Sequence, residues 1–273
     1  MVAVRLAAAV SRAVMAGLVT AAVIVAGPAP ASAALPSGEG WSAWWRYTDA
    51  STIKLGATIP GAELAGTAVD ASGTRTVTLT VMDQAADGMC VRMRYTSDGT
   101  VIDKDACGLY MSNHIWAPVT NEAMHVELCR LSGDNPINCN AVDIPPSIND
   151  PTLRSTGTGA EWTYHRFNPG DPHSLPDYFS FTLHRPGVTG QGDGIHVIGA
   201  RQFYMPYAVP DPGVPCTSVR LVSATTSSTV VGCGLASHPT VHLAGWVLVE
   251  ACAITTTPTY TTTCIGIRVV MPS

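Results

Sequence analysis

Four histidines, His165, His173, His184 and His196, fall in one stretch of the chain together with Asp171, Asp177 and Asp193. Imidazoles interleaved with carboxylates are the groups that acid/base and metal-assisted hydrolysis use, but no pair stands at the His-Glu-x-x-His spacing that puts two ligands on one helix face. Solvated loop histidines are the simpler expectation. Glu161, Glu127 and Glu250 could supply the two carboxyls that glycoside hydrolysis needs across a cleft, a separation that sequence does not measure. Asp83, Asp87 and the acids between Asp98 and Asp105 invite calcium, although their spacing departs from the EF-hand loop and Asp87-Gly88 is also a turn signal. No Gly-x-Ser-x-Gly elbow occurs, and no motif asks for a cofactor or a metal.

The aromatic residues offer a different chemistry, binding without turnover. Trp41, Trp44, Trp45 and Tyr47 cluster near the start of the mature chain, and Trp162, Tyr164 and Phe167 form a second group. An exposed aromatic ring can meet the apolar face of a sugar while an indole N–H or phenol supplies a polar contact, whereas burial makes the same residues core. Trp44, Trp45, Trp162 and Tyr164 are accordingly the ligand-binding candidates.

Whatever the site, strands must position it. Thr76 to Val81 alternates polar and apolar residues, as do Tyr178 to Leu183 and stretches near Met124 to Leu131 and Trp246 to Val249. Proline and glycine punctuate the chain at short intervals, and long helical periodicity is absent, so the fold class expected is all-β, with jelly-roll or Ig-like sandwiches.

Eight cysteines fall into two quartets of similar rhythm: Cys90, Cys107, Cys129 and Cys139, then Cys216, Cys233, Cys252 and Cys264. Asp98-Gly99 suits a type I′ hairpin turn, and the register it sets places Cys90 opposite Cys107, Arg94 opposite Asp103 and Arg92 opposite Asp105. Val91, Met93 and Tyr95 then face inward. Cys129 and Cys139 flank a turn-rich run, Cys252 and Cys264 flank Thr255 to Thr263, and Cys216 and Cys233 bracket Val219 to Val231, which makes disulfides within hairpins the expectation. Zinc would need closer cysteine spacing.

Residues 1–33 read as a cleaved signal peptide, with Arg5 and Arg12, an apolar run and a terminal Ala31-Ser32-Ala33. The expected product is secreted and extracellular, with no membrane attachment after cleavage. Removing the two leader arginines from the formal net charge of −5 leaves −7, which argues against nucleic acid as a partner. Cys107-Gly108-Leu109 matches Cys233-Gly234-Leu235, and the stretch before Cys129 loosely matches the stretch before Cys252. Two tandem disulfide-braced sandwich domains, 34–147 and 148–273, follow from this, with one larger interleaved sandwich as the alternative. Oligomeric state is not legible.

The run Val81-Met82-Asp83-Gln84-Ala85-Ala86-Asp87-Gly88-Met89-Cys90-Val91 resembles one found in secreted actinobacterial proteins of unknown function. The second half keeps Asp211, Gly213 and Cys216 but not the Ala-Asp-Gly run. The resemblance implies export and a β fold and brings no catalytic residues. The function expected is non-catalytic binding of a polysaccharide or cell-surface component. A hydrolase with a motif-less site within 161–201 is the alternative, and an inhibitor or toxin presenting the loop Thr255 to Thr263 ranks third.

Overall fold

The computed structural model describes residues 40–71, 74–119, 123–146, 153–165, 177–197, 200–244, 246–256 and 260–269. The signal peptide expected over 1–33, and Asp171, His173 and Phe167, lie outside the described residues. Among those described the fold is all-β, and no helix is long and apolar enough to cross a membrane.

In the first half, β1 (Gly40–Tyr47), β2 (Thr52–Ile59), β3 (Ala62–Ala71), β4 (Thr74–Asp83) and β7 (Ser112–Val119) lie side by side in that order. A smaller sheet has the order β6 (Thr100–Cys107), β5 (Cys90–Ser97), β8 (Met124–Ser132), β9 (Asn135–Ile144). The second half repeats the plan. Here β10 (Gly159–His165), β11 (Tyr178–Arg185), β12 (Val188–Val197), β13 (Ala200–Pro210) and the short β16 (Ala236–Ser237) follow one another, with β17 (Val241–Leu243) also on β13. The matching small sheet has the order β15 (Ser227–Gly232), β14 (Cys216–Ser223), β18 (Val247–Thr255), β19 (Thr261–Val269). Each half is thus a four-strand meander whose chain then crosses between sheets, an all-β, disulfide-braced, sandwich-like arrangement.

The two larger sheets are one sheet. β1 pairs antiparallel with β10, joining both halves, and residues 35–273 form a single compact unit. The equivalence of the halves extends to single residues. The turn Pro60-Gly61 between β2 and β3 corresponds to Pro186-Gly187 between β11 and β12, and both glycines have positive φ. Counting back through the hairpin registers aligns Ala43-Trp44-Trp45-Arg46-Tyr47 with Ala160-Glu161-Trp162-Thr163-Tyr164, an Ala-x-Trp-x-Tyr pattern in both. The β1–β10 register sets Ala43 opposite Trp162, Trp45 opposite Ala160 and Trp44 opposite Glu161. A pseudo-twofold axis therefore passes through the Trp44/Glu161 pair.

Alternation decides what is buried. Trp41, Ala43, Trp45 and Tyr47 of β1 point into the core, as do Val77, Leu79 and Val81 of β4 and Ala160, Trp162 and Tyr164 of β10. They meet the inner faces of the small sheets, which supply Val91, Met93, Tyr95, Val126 and Leu128 in one half and Val219, Leu221, Val249 and Ala251 in the other. Trp41 meets Tyr164 edge to face across the β1–β10 seam with ring centroids 5.3 Å apart. A small alanine facing a tryptophan on each side of the axis lets two indoles share the seam without overpacking.

All eight cysteines are paired: Cys90 with Cys107, Cys129 with Cys139, Cys216 with Cys233 and Cys252 with Cys264. Each bridge stays within its own half. The register foreseen from Asp98-Gly99 is the one observed, with Arg92 and Arg94 each making two hydrogen bonds to Asp105 and Asp103 respectively. Asp98 and Gly99 both have positive φ, as a type I′ turn requires.

The buried polar groups also correspond, with one difference between the halves. Arg75 on β4 is fully buried and donates from Nε and Nη2 to Asp70 at 2.6 and 3.2 Å, and the Tyr47 hydroxyl donates to the same carboxylate at 3.3 Å. In the second half the register puts Arg201 where Arg75 stands and His196 where Asp70 stands. The Tyr164 hydroxyl bonds instead to Asp177, just before β11. Burial pushes the Arg201 guanidinium down to about 10.

Because Trp162 fills the seam, Trp162→Ala is expected to cost about 3–5 kcal/mol in denaturant unfolding, and Trp45→Ala a similar amount.

Candidate functional site

Burial removes three of the four aromatic ligand-binding candidates, Trp45, Trp162 and Tyr164. Trp45, Trp162 and Tyr164 are 1%, 0% and 2% exposed, so none can reach a ligand without opening the core. The reason is the strand period: the residues that alternate with Trp41, Ala43, Trp45 and Tyr47 must point the other way. Trp44 does so. It is half-buried and lies on the outer face of the shared sheet, the face turned away from both small sheets.

The outer face is a broad surface read across its registers. The row through the axis runs Tyr207, Gln191, Thr182, Glu161, Trp44, Gly56, Ala65, Thr80, His114 from β13 to β7. The indole lies across Gly56. A Cβ added there would sit 2.8 Å from Trp44 Nε1 and about 3 Å from two further ring atoms, so only glycine lets the ring settle on the backbone. Hydroxyls line one flank of it. They form the row Ser180, Thr163, Ser42, Thr58, in which Ser42 and Thr58 hydrogen-bond at 2.9 Å and Thr163 and Ser180 at 2.9 Å, while on the other flank Arg46 Nη2 lies 3.9 Å from Glu161 Oε2. Toward the far edges, Tyr207 donates to Gln191 at 2.7 Å, and Trp116 on β7 is 71% exposed. At the usual strand spacing Tyr207 and Trp116 each stand roughly 20 Å from Trp44, on opposite sides.

The other candidates disperse. His184 lies exposed on the outer face with Nδ1 3.0 Å from Thr189 Oγ1, and Asp193 accepts from Tyr178 at 3.2 Å. His165 and His196 occupy β10 and β12, on strands separated by β11. Glu250 pairs with Arg220 at 3.1 Å on the other small sheet, far from Glu161 in the strand order. Asp83 is buried and accepts from the backbone of Ala85 and Gly108 at 3.0 and 2.9 Å, and Asp87 pairs with Arg130. Those contacts make both acids parts of the loop that carries Cys90. Among the described residues no group of three or more His, Cys, Asp or Glu side chains could hold a metal.

One feature on the small sheet was not legible in the sequence. On its exposed face Arg94 opposes Asp103 and Glu127, Glu127 lies 3.5 Å from His125 Nε2, and His125 Nδ1 lies 2.6 Å from Asp143. Asp143 then reaches Arg268 Nε at 3.3 Å, on β19 of the other half, and that guanidinium sits 4.8 Å above the Trp246 ring. Asp143 and Arg268 are equivalent positions of the two halves, each four residues beyond the last cysteine of its quartet. The chain of charges crosses from one half to the other. Hydrogen bonds to Asp143 and Glu127 raise the His125 imidazole to about 9, and His125 in turn holds the Glu127 carboxyl below its usual range.

No protein-family model, curated protein or solved structure matches the chain. The outer face presents a half-covered indole beside a row of hydroxyls on a continuous β surface.

The His125 geometry carries a pH dependence. A folded-state value raised from 6.5 to about 9 gives stabilisation that is complete below 6.5 and lost as pH climbs through about 9. The thermal midpoint of the wild type should fall between about pH 7 and pH 10 more steeply than that of His125→Gln, as followed by circular dichroism.

Proposed function

We propose that this chain is a secreted, non-catalytic binding protein that takes a polysaccharide onto the outer face of the shared sheet, with Trp44 as its central contact. The observation that carries this reading is the Trp44 indole lying across Gly56, with the hydroxyl row Ser180, Thr163, Ser42, Thr58 alongside it. An indole held against the backbone has little side-chain entropy to lose on contact, and its remaining surface offers an apolar ring and an N–H to a sugar. Side-chain hydroxyls donate and accept, which matches the hydroxyls of a glycan. Four hairpin disulfides support an oxidising extracellular setting.

The test is retention of the purified mature chain on insoluble or immobilised polysaccharides, with cellulose, xylan, chitin, β-glucan and polygalacturonate in the panel. Trp44→Ala should weaken retention by roughly tenfold or more, the scale of a central aromatic contact, while shifting unfolding far less than Trp162→Ala. Gly56→Ala should weaken it too, because the new methyl lifts the indole from its bed. Undiminished retention by both variants would overturn the assignment of this face.

A further inference from the structure

Beside the Trp44 row on the outer face runs a second row, and its charges are uneven. Arg46 of β1 opposes Lys54 of β2 directly, two cations on one face of an antiparallel pair. Like charges so placed repel, and the arrangement is destabilising unless something negative sits between them. Inside the protein the compensation is small. Arg46 reaches Glu161 only at 3.9 Å, and Lys54 is exposed and makes no ion pair with any described carboxylate. The row continues through Gly159 to His184 on one side and through Thr67 and Thr78 to Trp116 on the other, with no carboxylate between His184 and Trp116. This occurs in a chain of net charge −5 with only two lysines, Lys54 and Lys104.

Resting on the polysaccharide reading above, we infer that the ligand is an acidic polysaccharide: its ring packs on Trp44, and the carboxylate of the same or the adjoining sugar lies over the Arg46/Lys54 pair. The guanidinium presents a planar fork of donors suited to a carboxylate, and the lysine adds a point charge. Glu161 stands on the far side of Arg46 and opposes an anion, so it limits affinity. A nucleic acid would also offer rings and negative charge. It needs a longer track of cations than one opposed pair on an acidic molecule, and the acidic glycan is favoured for that reason.

The experiment compares polygalacturonate with an uncharged polysaccharide of similar length, and with a single-stranded oligonucleotide, by titration of the mature chain at low salt. The acidic polymer should bind roughly tenfold tighter than the neutral one, and the difference should vanish near 1 M salt, where screening reaches about 3 Å. Lys54→Glu should remove the preference for acid while leaving residual binding through Trp44, and Glu161→Gln should strengthen acidic binding. Both variants alter exposed or half-exposed side chains, and an unchanged unfolding curve confirms that they fold. Equal binding of neutral polymers, unaffected by Lys54→Glu, would overturn the acidic inference and leave the Trp44 platform standing. Failure to bind any polysaccharide would overturn both, and preference for the oligonucleotide would overturn both in favour of another partner class.

Discussion

Everything in this molecule is arranged around the hydrogen-bonded seam between β1 and β10. Alone, either half would end its larger sheet on a strand whose backbone donors and acceptors had no partner on one side, a template for indiscriminate pairing. Set antiparallel across a pseudo-twofold axis, the two strands satisfy each other and turn a five-strand and a six-strand sheet into one continuous surface. The same seam fixes the core, since Ala43 facing Trp162 and Trp45 facing Ala160 follow directly from where the axis falls. It also fixes the outer face. Once Trp45 and Trp162 are committed inward, Trp44 and Glu161 must face out, on the two central strands of the eleven-strand sheet.

The disulfides brace the margins of this arrangement without creating it. None of the four crosses the seam, so the halves are held together by backbone pairing, by the aromatic packing beneath it and, on the small-sheet side, by the Asp143–Arg268 contact. Covalent stitching stiffens each hairpin of the small sheets, while the larger sheet, which carries the candidate surface, contains no cysteine at all. Its rigidity comes from the ladder and from the packed layer under it.

The sequence disclosed the hairpin chemistry and misdirected the aromatic chemistry, for physical reasons. Asp98-Gly99 is a local signal: a two-residue turn sets a register, and Cys90, Arg92 and Arg94 then meet their partners without reference to anything distant. Which of four aromatic residues faces solvent depends on strand phase. The phase of Trp44 against Trp45 was written in the alternation Trp41, Ala43, Trp45, Tyr47, and clustering obscured it. The internal repeat is legible through its cysteines and far less so in Ala-x-Trp-x-Tyr, because only three of five positions agree and the divergent ones are those turned outward. Gly56 beneath the indole, Lys54 opposite Arg46 and the charge relay through His125 all depend on pairing between strands, which no local pattern announces.

The equivalence of Asp143 with Arg268, and of Trp44 with Glu161, has a consequence for what a fused chain can do. In an assembly of two identical subunits, any residue on the symmetry axis must confront its own copy: acid meets acid, indole meets indole. Carrying both halves on one polypeptide lifts that restriction, so the axis becomes the one place where opposite chemistries can be set face to face. On one side of this molecule it holds an ion pair, and on the other a lone aromatic ring beside a single carboxylate, an asymmetric centre inside a symmetric frame.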